Sequence, residues 1–591
     1  MSVISLSGII LVILCIVFII MGIQFRKLTT TSEEFMLGGR KAPFWLMFAA
    51  YLGGAIGGSS VSGWVGYGYA GGMSSIWVGI LPSLGLTFFV LLFARRLNHF
   101  GRKTGAVTVT DFLCARYGES VRVPAAIMSF FRPAFITGMQ YLAIAVVLNV
   151  AFGWPMWVGV LLSAVVILAY LVTAGQYSAI VTQWIQAILQ SISIVLICIV
   201  AIKLAGGTSV GVDAFYSMLP SNFVNGFQIT FSQFSVWFLT MCLFYLVDPW
   251  AYMWAYIGES PRVAQNAQVA LGATYYGFLV FLAGMFIAVA VTAGNLVLPE
   301  GLSADGIYSY IALNESGIGI GTFLVVGLLM TVISCGSSFV MNGVTVLTND
   351  IYNKAINKNA TDQQKLRASR ISVAIVTLCG IAGALWLPIL VPLWVLAQAL
   401  ALSGLLASII SAWWWKRSTS AGALASIILG GVSSIGWAMY AWATTGSPGN
   451  LVFGLHAAHV GIFVSVPVMI IVSLATKPDY SRVEATSFAT LGVSLKKAMI
   501  EAGTPEKPGF FGFFSAETSL SKLAWILVIV LFALHYFLVF VFQVNFAGVF
   551  TVWLSIINSI VITIIVAVMG GYDLSGFLKK GPSKQTDRLQ A

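Results

Sequence analysis

The stretch from Gly53 to Gly72 reads GGAIGGSSVSGWVGYGYAGG and lies in an apolar run that begins near residue 43. Nine of its twenty residues are glycine. Glycine is a poor helix former, and it lets two backbones approach closely or lets a helix open. The stretch therefore has two interpretations. It is either a tight contact between membrane helices through small residues, or a broken helix whose freed carbonyl groups bind an ion.

A second interruption, YLVDPW at residues 245–250, follows five apolar runs later. Proline removes a helix hydrogen bond and kinks the chain, and an aspartate beside it is rare inside a membrane. Interrupted helices at corresponding places predict two five-helix repeats, and an odd number of helices makes the repeats inverted. Substrate and ion then bind between the repeats near the bilayer midplane. This second break favours the broken-helix interpretation of the first.

The composition requires a lipid environment. Of the 591 residues, 59% are hydrophobic and 8% are charged, whereas a soluble chain carries about 25% charged residues. The sequence therefore predicts an all-α polytopic membrane protein with about fifteen transmembrane helices. The apolar runs are 4–23, 43–70, 74–94, 121–148, 153–173, 177–205, 231–252, 266–292, 319–347, 370–390, 394–414, 421–443, 455–475, 521–541 and 546–570.

The basic residues indicate the orientation. Of 30 lysines and arginines, all but Arg132 and Lys203 lie in alternate loops or at the adjoining helix ends. Because cytoplasmic loops are enriched in positive charge, this pattern places the N-terminus outside and the C-terminus in the cytoplasm of a plasma membrane. A net charge of +11 dispersed in this way does not indicate nucleic-acid binding. The six cysteines avoid the predicted outer loops, which argues against a disulfide framework.

Two charged residues lie within predicted helices. Arg132 is expensive to insert, about 2.5–3.5 kcal/mol on insertion scales, so a partner must offset that cost. A substrate carboxylate is one candidate partner, bound through two parallel hydrogen bonds. A structural pair with Asp248, a carbonyl group freed by Pro133 and snorkelling to the inner surface remain alternatives. Asp248 is likewise a candidate gating residue, cation ligand or proton carrier.

Hydroxyl groups line one face of the ninth run. Thr331, Ser334 and Ser338 recur at three- to four-residue spacing, so they share a helix face. Sodium prefers oxygen ligands, which hydroxyl and carbonyl groups supply. Hydrogen bonding between helices is the alternative role of such a cluster.

The chain resembles the sodium/solute symporter family, which includes sodium-coupled proline, glucose and sialic acid carriers. The resemblance rests on the order and spacing of several motifs rather than on any single one. The motifs are Phe35-Met36-Leu37-Gly38-Gly39-Arg40, Ser62-Gly63-Trp64, Thr110-Asp111-Phe112-Leu113, Arg116-Tyr117-Gly118, Asn349-Asp350-Ile351-Tyr352, Trp415-Lys416-Arg417 and Gly422-Ala423.

The resemblance implies a LeuT-type fold, with one leading helix, five plus five inverted helices and four trailing helices. The corresponding segments are a leading helix and loop at 1–42, repeats at 43–205 and 206–414, and trailing helices at 415–475. A cytoplasmic loop at 476–520 and two extra helices with a tail at 521–591 follow.

The resemblance also implies ligands at matching positions. The predicted sodium site comprises the carbonyl groups of the broken helix and groups of the ninth run: Gly58, Val61, Thr331, Ser334 and Cys335. Cys335 departs from the family because a thiol is a soft, weak ligand for sodium. A second sodium site is weakened by Gln183, which stands where some members have aspartate. The implied substrate-binding residues are Ser60, Trp64, Arg132, Tyr245 and Gln398.

The sequence therefore predicts a secondary active transporter that carries a small polar solute, an organic acid or an amino-acid-like molecule, together with sodium. A proton-coupled or uncoupled carrier of the same fold and a symporter-like membrane sensor are the alternatives. An enzyme is not indicated, because the sequence shows no metal cluster, nucleophile–base pair or cofactor motif.

Overall fold

The computed structural model describes residues 2–25, 31–207, 229–273 and 277–501, with a few positions between 214 and 223 and a two-stranded pair after residue 501. Within these residues the chain is helical apart from that pair and two isolated bridges. Nine helices of the described part are long and apolar enough to cross a membrane, and shorter apolar helices accompany them. The predicted helices at 521–541 and 546–570 lie outside the described residues, so the count of about fifteen remains a prediction.

The first repeat and its leading helix occupy nine α-helices. They are α1 (Val3–Phe25), α2 (Ser32–Leu37), α3 (Phe44–Ala55), α4 (Trp64–Gly71), α5 (Trp77–Phe89), α6 (Arg95–Thr104), α7 (Val109–Tyr117), α8 (Arg122–Phe152) and α9 (Met156–Leu204). Short 3₁₀ or π turns connect several of them: Gly38–Arg40, Ser59–Gly63, Gly72–Ile76, Val90–Ala94 and Glu119–Val121.

The remaining described residues form twelve more α-helices and the strand pair. The helices are α10 (Phe231–Trp237), α11 (Pro249–Ile257), α12 (Pro261–Ala273), α13 (Gly277–Thr292), α14 (Ile307–Tyr310), α15 (Gly317–Thr345), α16 (Asp362–Trp386), α17 (Leu390–Trp414), α18 (Ser420–Thr445), α19 (Ala457–Ala475), α20 (Val483–Thr486) and α21 (Phe488–Glu501). The turns between them are Phe238–Cys242, Leu243–Val247, Ala304–Gly306, Ile311–Glu315 and Val346–Ile356. Strands β1 (Lys507–Pro508) and β2 (Ser515–Ala516) pair antiparallel.

Both predicted helix breaks are present. Helix α3 ends at Ala55, Ile56 takes an extended conformation, and the chain resumes through a π turn into α4. In the second break, a π turn and a 3₁₀ turn lead to extended Asp248, and α11 begins at Pro249. Proline is favoured at this first helical position because its missing N–H would be unpaired there anyway. The Asp248 carboxylate accepts from the backbone N–H of Trp250 at 2.9 Å, which caps the new helix.

One predicted loop is absent from the structure. Residues 174–176 were expected to separate two spans, but α9 runs through them as a single 49-residue helix. The stretch contains no proline, and its one poor helix former, Gly175, does not end the helix.

The outer helices carry the surface expected for contact with lipid. Ile371 and Leu378 of α16, Val432 of α18, and Phe463 and Ile471 of α19 are each more than 60% exposed. Large apolar side chains exposed at this density are typical of a bilayer-facing surface.

Helices α8 and α16 touch through backbone alone at Gly138 and Gly380. A Cβ atom added at Gly138 would lie 2.8 Å from the carbonyl carbon of Gly380. Close approach through small residues is the usual way in which membrane helices pack, because lipid removes the hydrophobic drive between them.

We expect Gly138→Ala to lower the thermal stability of the purified protein, because the new methyl group collides with backbone that cannot move aside. A cost of about 1–3 kcal/mol is typical of overpacking. Gly436→Ala in α18 is the matched control, since a Cβ atom there meets nothing within 4 Å. Equal melting temperatures for the two variants would contradict the contact.

A charged cluster, which we term the inner cluster, joins two distant sequence motifs. Asp111 of α7 accepts from Arg122 at 2.9 Å and from Lys354 at 2.6 Å. Asn349 donates to Asp111 at 3.1 Å and to Asp350 at 2.8 Å. The motifs around Asp111 and Asp350 are thus adjacent in space, so the cluster connects α7 to the turn that follows α15.

The pKa of Asp111 reflects this cluster. Burial alone would raise the pKa of the carboxyl group, but Lys354 and Arg122 outweigh burial and hold it below the ordinary value. A carboxyl group whose pKa falls on folding stabilises the protein above its unfolded pKa, about 3.9. That contribution is lost as the pH falls through the folded pKa.

Asp111→Asn should therefore destabilise the protein at pH 7, by about 3 kcal/mol for a buried pair that loses one partner. The difference from the wild type should shrink as the pH falls below about 4. Melting temperatures measured across this range, with the exposed Asp362→Asn as the control, check the expectation. A destabilisation that stays the same down to pH 3 would exclude the proposed ionic origin.

Candidate ion and solute site

Arg132 and Asp248 form a buried ion pair between α8 and the second helix break. Arg132 is 2% exposed and Asp248 is fully buried. Three aromatic rings surround the guanidinium group, with centroids 4.8 Å away for Phe244, 5.5 Å for Tyr245 and 5.1 Å for Phe339. The pairing that the sequence left as one alternative for Arg132 is therefore present, and cation–π contacts assist it.

Helix α8 also holds the first break. Its Gln140 side chain accepts from the backbone N–H of Gly58 at 2.8 Å, and both groups are buried. Gln140 follows Arg132 by eight residues, a little over two helical turns. Helix α8 therefore contacts both breaks. The Gln140 amide binds the first break, and the Arg132 guanidinium group binds the second.

The first break lies against the hydroxyl-bearing face of α15. A Cβ atom added at Gly57 would lie 2.7 Å from the Cys335 thiol, and one at Gly54 would lie 2.8 Å from the Ser338 hydroxyl. Gly53 approaches Ser334 even more closely. The glycines are needed here because any side chain would separate the broken helix from α15. The helix is therefore both broken and tightly packed against α15.

Two of the predicted sodium ligands, Ser334 and Cys335, lie in this contact. Ser334 is fully buried, and its hydroxyl has no hydrogen-bond partner among the described residues. Thr331 donates its hydroxyl proton to the Gly327 carbonyl at 2.8 Å, which leaves the hydroxyl lone pairs available. Gly58 and Val61 follow on the broken helix, within or beside its π turn.

Gln183 occupies the flank of this contact. Its amide nitrogen donates to the Ser334 carbonyl at 3.1 Å and lies 3.5 Å from the Ser337 hydroxyl. Trp250 of α11 donates to the Ser338 hydroxyl at 2.8 Å, so the second broken helix reaches the same face of α15. The predicted ligands Ser334 and Cys335 and both helix breaks therefore share one region of the molecule.

The predicted solute residues form two groups. Trp64 packs on Phe281 and lies 6.1 Å from Trp394, measured between ring centroids. With its amide oriented to satisfy both neighbours, Gln398 accepts from the Trp394 indole and donates to the Thr240 carbonyl. Tyr245 belongs to the second group, beside Arg132. Ser60 is buried in the π turn of the first break.

Asp305 binds the π turn of the first break through Ser62. This residue was not singled out from the sequence. Its carbonyl accepts from the Ser62 hydroxyl at 2.5 Å, and its carboxylate accepts from the backbone N–H of Leu390 at 3.1 Å. Burial raises the pKa of this carboxyl group. No sequence signal was specific to Asp305, because the same segment between two apolar runs, 293–318, also contains Glu300 and Glu315.

Comparisons with known proteins agree with this geometry. The model of the family described as "Sodium:solute symporter family" matches residues 35–430. The chain belongs to the sodium:solute symporter family. A sodium/proline symporter of Staphylococcus aureus is 26% identical over 487 residues, which cover 79% of this chain and 92% of that protein.

A solved structure of a sodium-coupled sialic acid symporter has the same fold, with a TM-score of 0.66 and 18% identity. The alignment covers 80% of this chain and 98% of that one. The predicted LeuT-type fold is thereby confirmed. As a sodium:solute symporter the protein is a multi-pass membrane transporter rather than an enzyme, and it couples the symport of a small solute to sodium.

In this symporter we expect Asp248→Asn to destabilise the fold strongly, because it leaves the buried Arg132 charge without its counter-ion. Removal of one partner of a buried pair costs about 3–5 kcal/mol. The double variant Arg132→Met with Asp248→Asn should recover most of that loss, since no uncompensated charge remains. Melting temperatures of the two single variants and the double variant check this, and additive losses would contradict the pairing.

Proposed function

We propose that the solute carries a carboxylate, as organic acids and amino-acid-like molecules do, and that sodium binds where the first helix break meets α15. The observation that carries the ion site is the buried Ser334 hydroxyl beside the glycines of the break, which has no hydrogen-bond partner among the described residues. The proposed ligands are all oxygen or sulfur atoms of neutral groups: Gly58, Val61, Thr331, Ser334 and Cys335.

Sodium in this position would connect the two repeats. Gly58 and Val61 belong to the first repeat, whereas Ser334 and Cys335 belong to α15 of the second. An ion that binds both repeats favours the conformation in which its ligands converge. Solute and sodium affinities are then linked, and each raises the other by the same factor.

Arg132 is the proposed carboxylate-binding group. A guanidinium group has five N–H donors, and Asp248 contacts it through one nitrogen, Nη1. Its Nε atom has no hydrogen-bond partner among the described residues. A solute carboxylate would therefore share Arg132 with Asp248, while the rings of Tyr245 and Phe244 exclude water from the contact.

The group formed by Trp64 and Gln398 supplies the remaining solute contacts in this proposal. Trp64 and Gln398 would bind the apolar and polar parts of the solute, and Ser60 would contribute from the break. We further propose that the N-terminus is outside and the C-terminus cytoplasmic, in a plasma membrane, on the basis of the positive charge in alternate loops.

Ser334→Ala should raise the sodium concentration that half-activates transport by about tenfold, the equivalent of 1.4 kcal/mol for one lost ligand. Solute affinity at saturating sodium should change much less. The measurement is solute uptake into proteoliposomes against external sodium, with choline maintaining ionic strength. Ser163→Ala in α9 is the control, because its hydroxyl only bonds the Gly159 carbonyl of its own helix. A normal sodium response in folded Ser334→Ala would remove this residue from the site.

The solute class is tested by thermal stabilisation of the purified protein with a panel of carboxylates, amino acids and neutral sugars, each in sodium and in potassium. We expect a carboxylate to stabilise the protein in sodium only. The stable double variant Arg132→Met with Asp248→Asn should lose that response and keep its response to sodium. A neutral sugar as the best ligand would overturn the carboxylate proposal. Stabilisation that ignores sodium would favour the proton-coupled or uncoupled carrier.

A further inference from the structure

A column of polar side chains runs along the outer half of α9. It consists of Gln183, Gln186, Gln190 and Ser193, all at most 1% exposed. Their spacings of three, four and three residues place them within an arc of about 80° on one helix face, over about 15 Å of its length. Such a column is costly inside a membrane and is a functional feature by default.

The two ends of the column contact α15 or its neighbour. At the inner end, Gln183 donates to the Ser334 carbonyl at 3.1 Å. At the outer end, the Ser193 hydroxyl bonds the Tyr308 hydroxyl at 2.7 Å and the Leu324 carbonyl at 3.4 Å. Because all four residues share one face, Gln186 and Gln190 also face α15, between Leu324 and Ser334.

The middle of the column contains unpaired polar groups. In the part of the chain that the structure describes, neither amide atom of Gln186 or Gln190 has a hydrogen-bond partner, and the Gln183 oxygen has none either. The Ser334 hydroxyl on the facing helix shares this property. Buried polar groups are almost always paired with protein groups, water or ions, so these atoms mark a place where water or an ion can bind.

The facing surface of α15 presents oxygen acceptors. At the Ser193 end of the column the two helices are in close contact, since a Cβ atom at Gly327 would lie 2.5 Å from the Ser193 hydroxyl. Thr331 turns its hydroxyl proton toward the Gly327 carbonyl, so its lone pairs remain as acceptors. The groups that converge here are therefore mainly neutral oxygen acceptors, with amide N–H groups beside them.

We propose that Gln186 and Gln190 form a second binding station for a hydrated monovalent cation, which sodium occupies on its way between the outer surface and the site at Ser334. Amide oxygens would bind the ion, and the amide N–H groups would bind the oxygens of its remaining waters. The column has no carboxylate, which a divalent ion would require. The proposal rests on the sodium site proposed above, because the column ends at Ser334.

The test uses the purified full-length protein and sodium alone, without solute. Stopped-flow measurement of the intrinsic tryptophan fluorescence follows sodium association, because Trp250 bonds Ser338 beside the proposed sodium site. Gln186→Leu and Gln190→Leu should each slow association about tenfold, which corresponds to one lost ligand in the entry step. Equilibrium binding of radioactive sodium should change by much less than the rate.

Gln268→Leu in α12 is the matched control. Gln268 is also fully buried, and its two amide atoms also have no partner among the residues that the structure describes, but it lies outside the column. Gln190→Glu provides a variant with the opposite expected sign, since a carboxylate should tighten sodium binding and raise the association rate. It also keeps the test informative if a leucine variant folds poorly.

The outcomes are distinguishable. Association rates that stay unchanged in folded Gln186→Leu and Gln190→Leu would overturn the station and leave the sodium site standing. The same would follow if Gln268→Leu slowed association equally. A wild-type protein that gives no response to sodium would instead overturn the proposed sodium site, and the station with it.

Discussion

The placement of two side chains on α8 is the constraint on which the rest of the site depends. Arg132 holds the second helix break through Asp248, and Gln140 holds the first through the N–H of Gly58. A broken helix leaves backbone groups unpaired, which a bilayer does not tolerate unless protein groups bind them. A single unbroken helix meets this requirement for both repeats and so sets their relative position.

Composition, the glycines of the first break and the Asp248–Pro249 pair of the second were enough to predict the helical membrane fold and both breaks, because these follow from the solvent and from local backbone chemistry. The ion pair was present in the sequence only as one of several alternatives for Arg132. Partners 116 residues apart are fixed by packing rather than by local pattern. The same holds for Gln140, because no local sequence pattern predicts its hydrogen bond to Gly58.

The charged cluster at Asp111 and the continuous helix at residues 174–176 could not be predicted from the sequence. The separation of Asp111 and Asp350 gave no sign that the two motifs form one charged cluster, although each motif was recognised. Residues 174–176 were expected to form a loop because apolar runs flank them, yet α9 continues through them. Hydropathy shows where a chain is apolar, but it does not by itself show where a helix ends.

The contact between Gly138 and Gly380 has a mechanical consequence. Two backbones that touch without intervening side chains cannot slide or tilt against each other without a gap or a clash. Helices α8 and α16 are therefore expected to move together as one rigid unit. The broken helices, by contrast, are bonded to α8 through single side chains, Gln140 at Gly58 and Arg132 at Asp248. If the broken helices move during transport, they move against this rigid pair, and Arg132 and Gln140 are the contacts about which they turn.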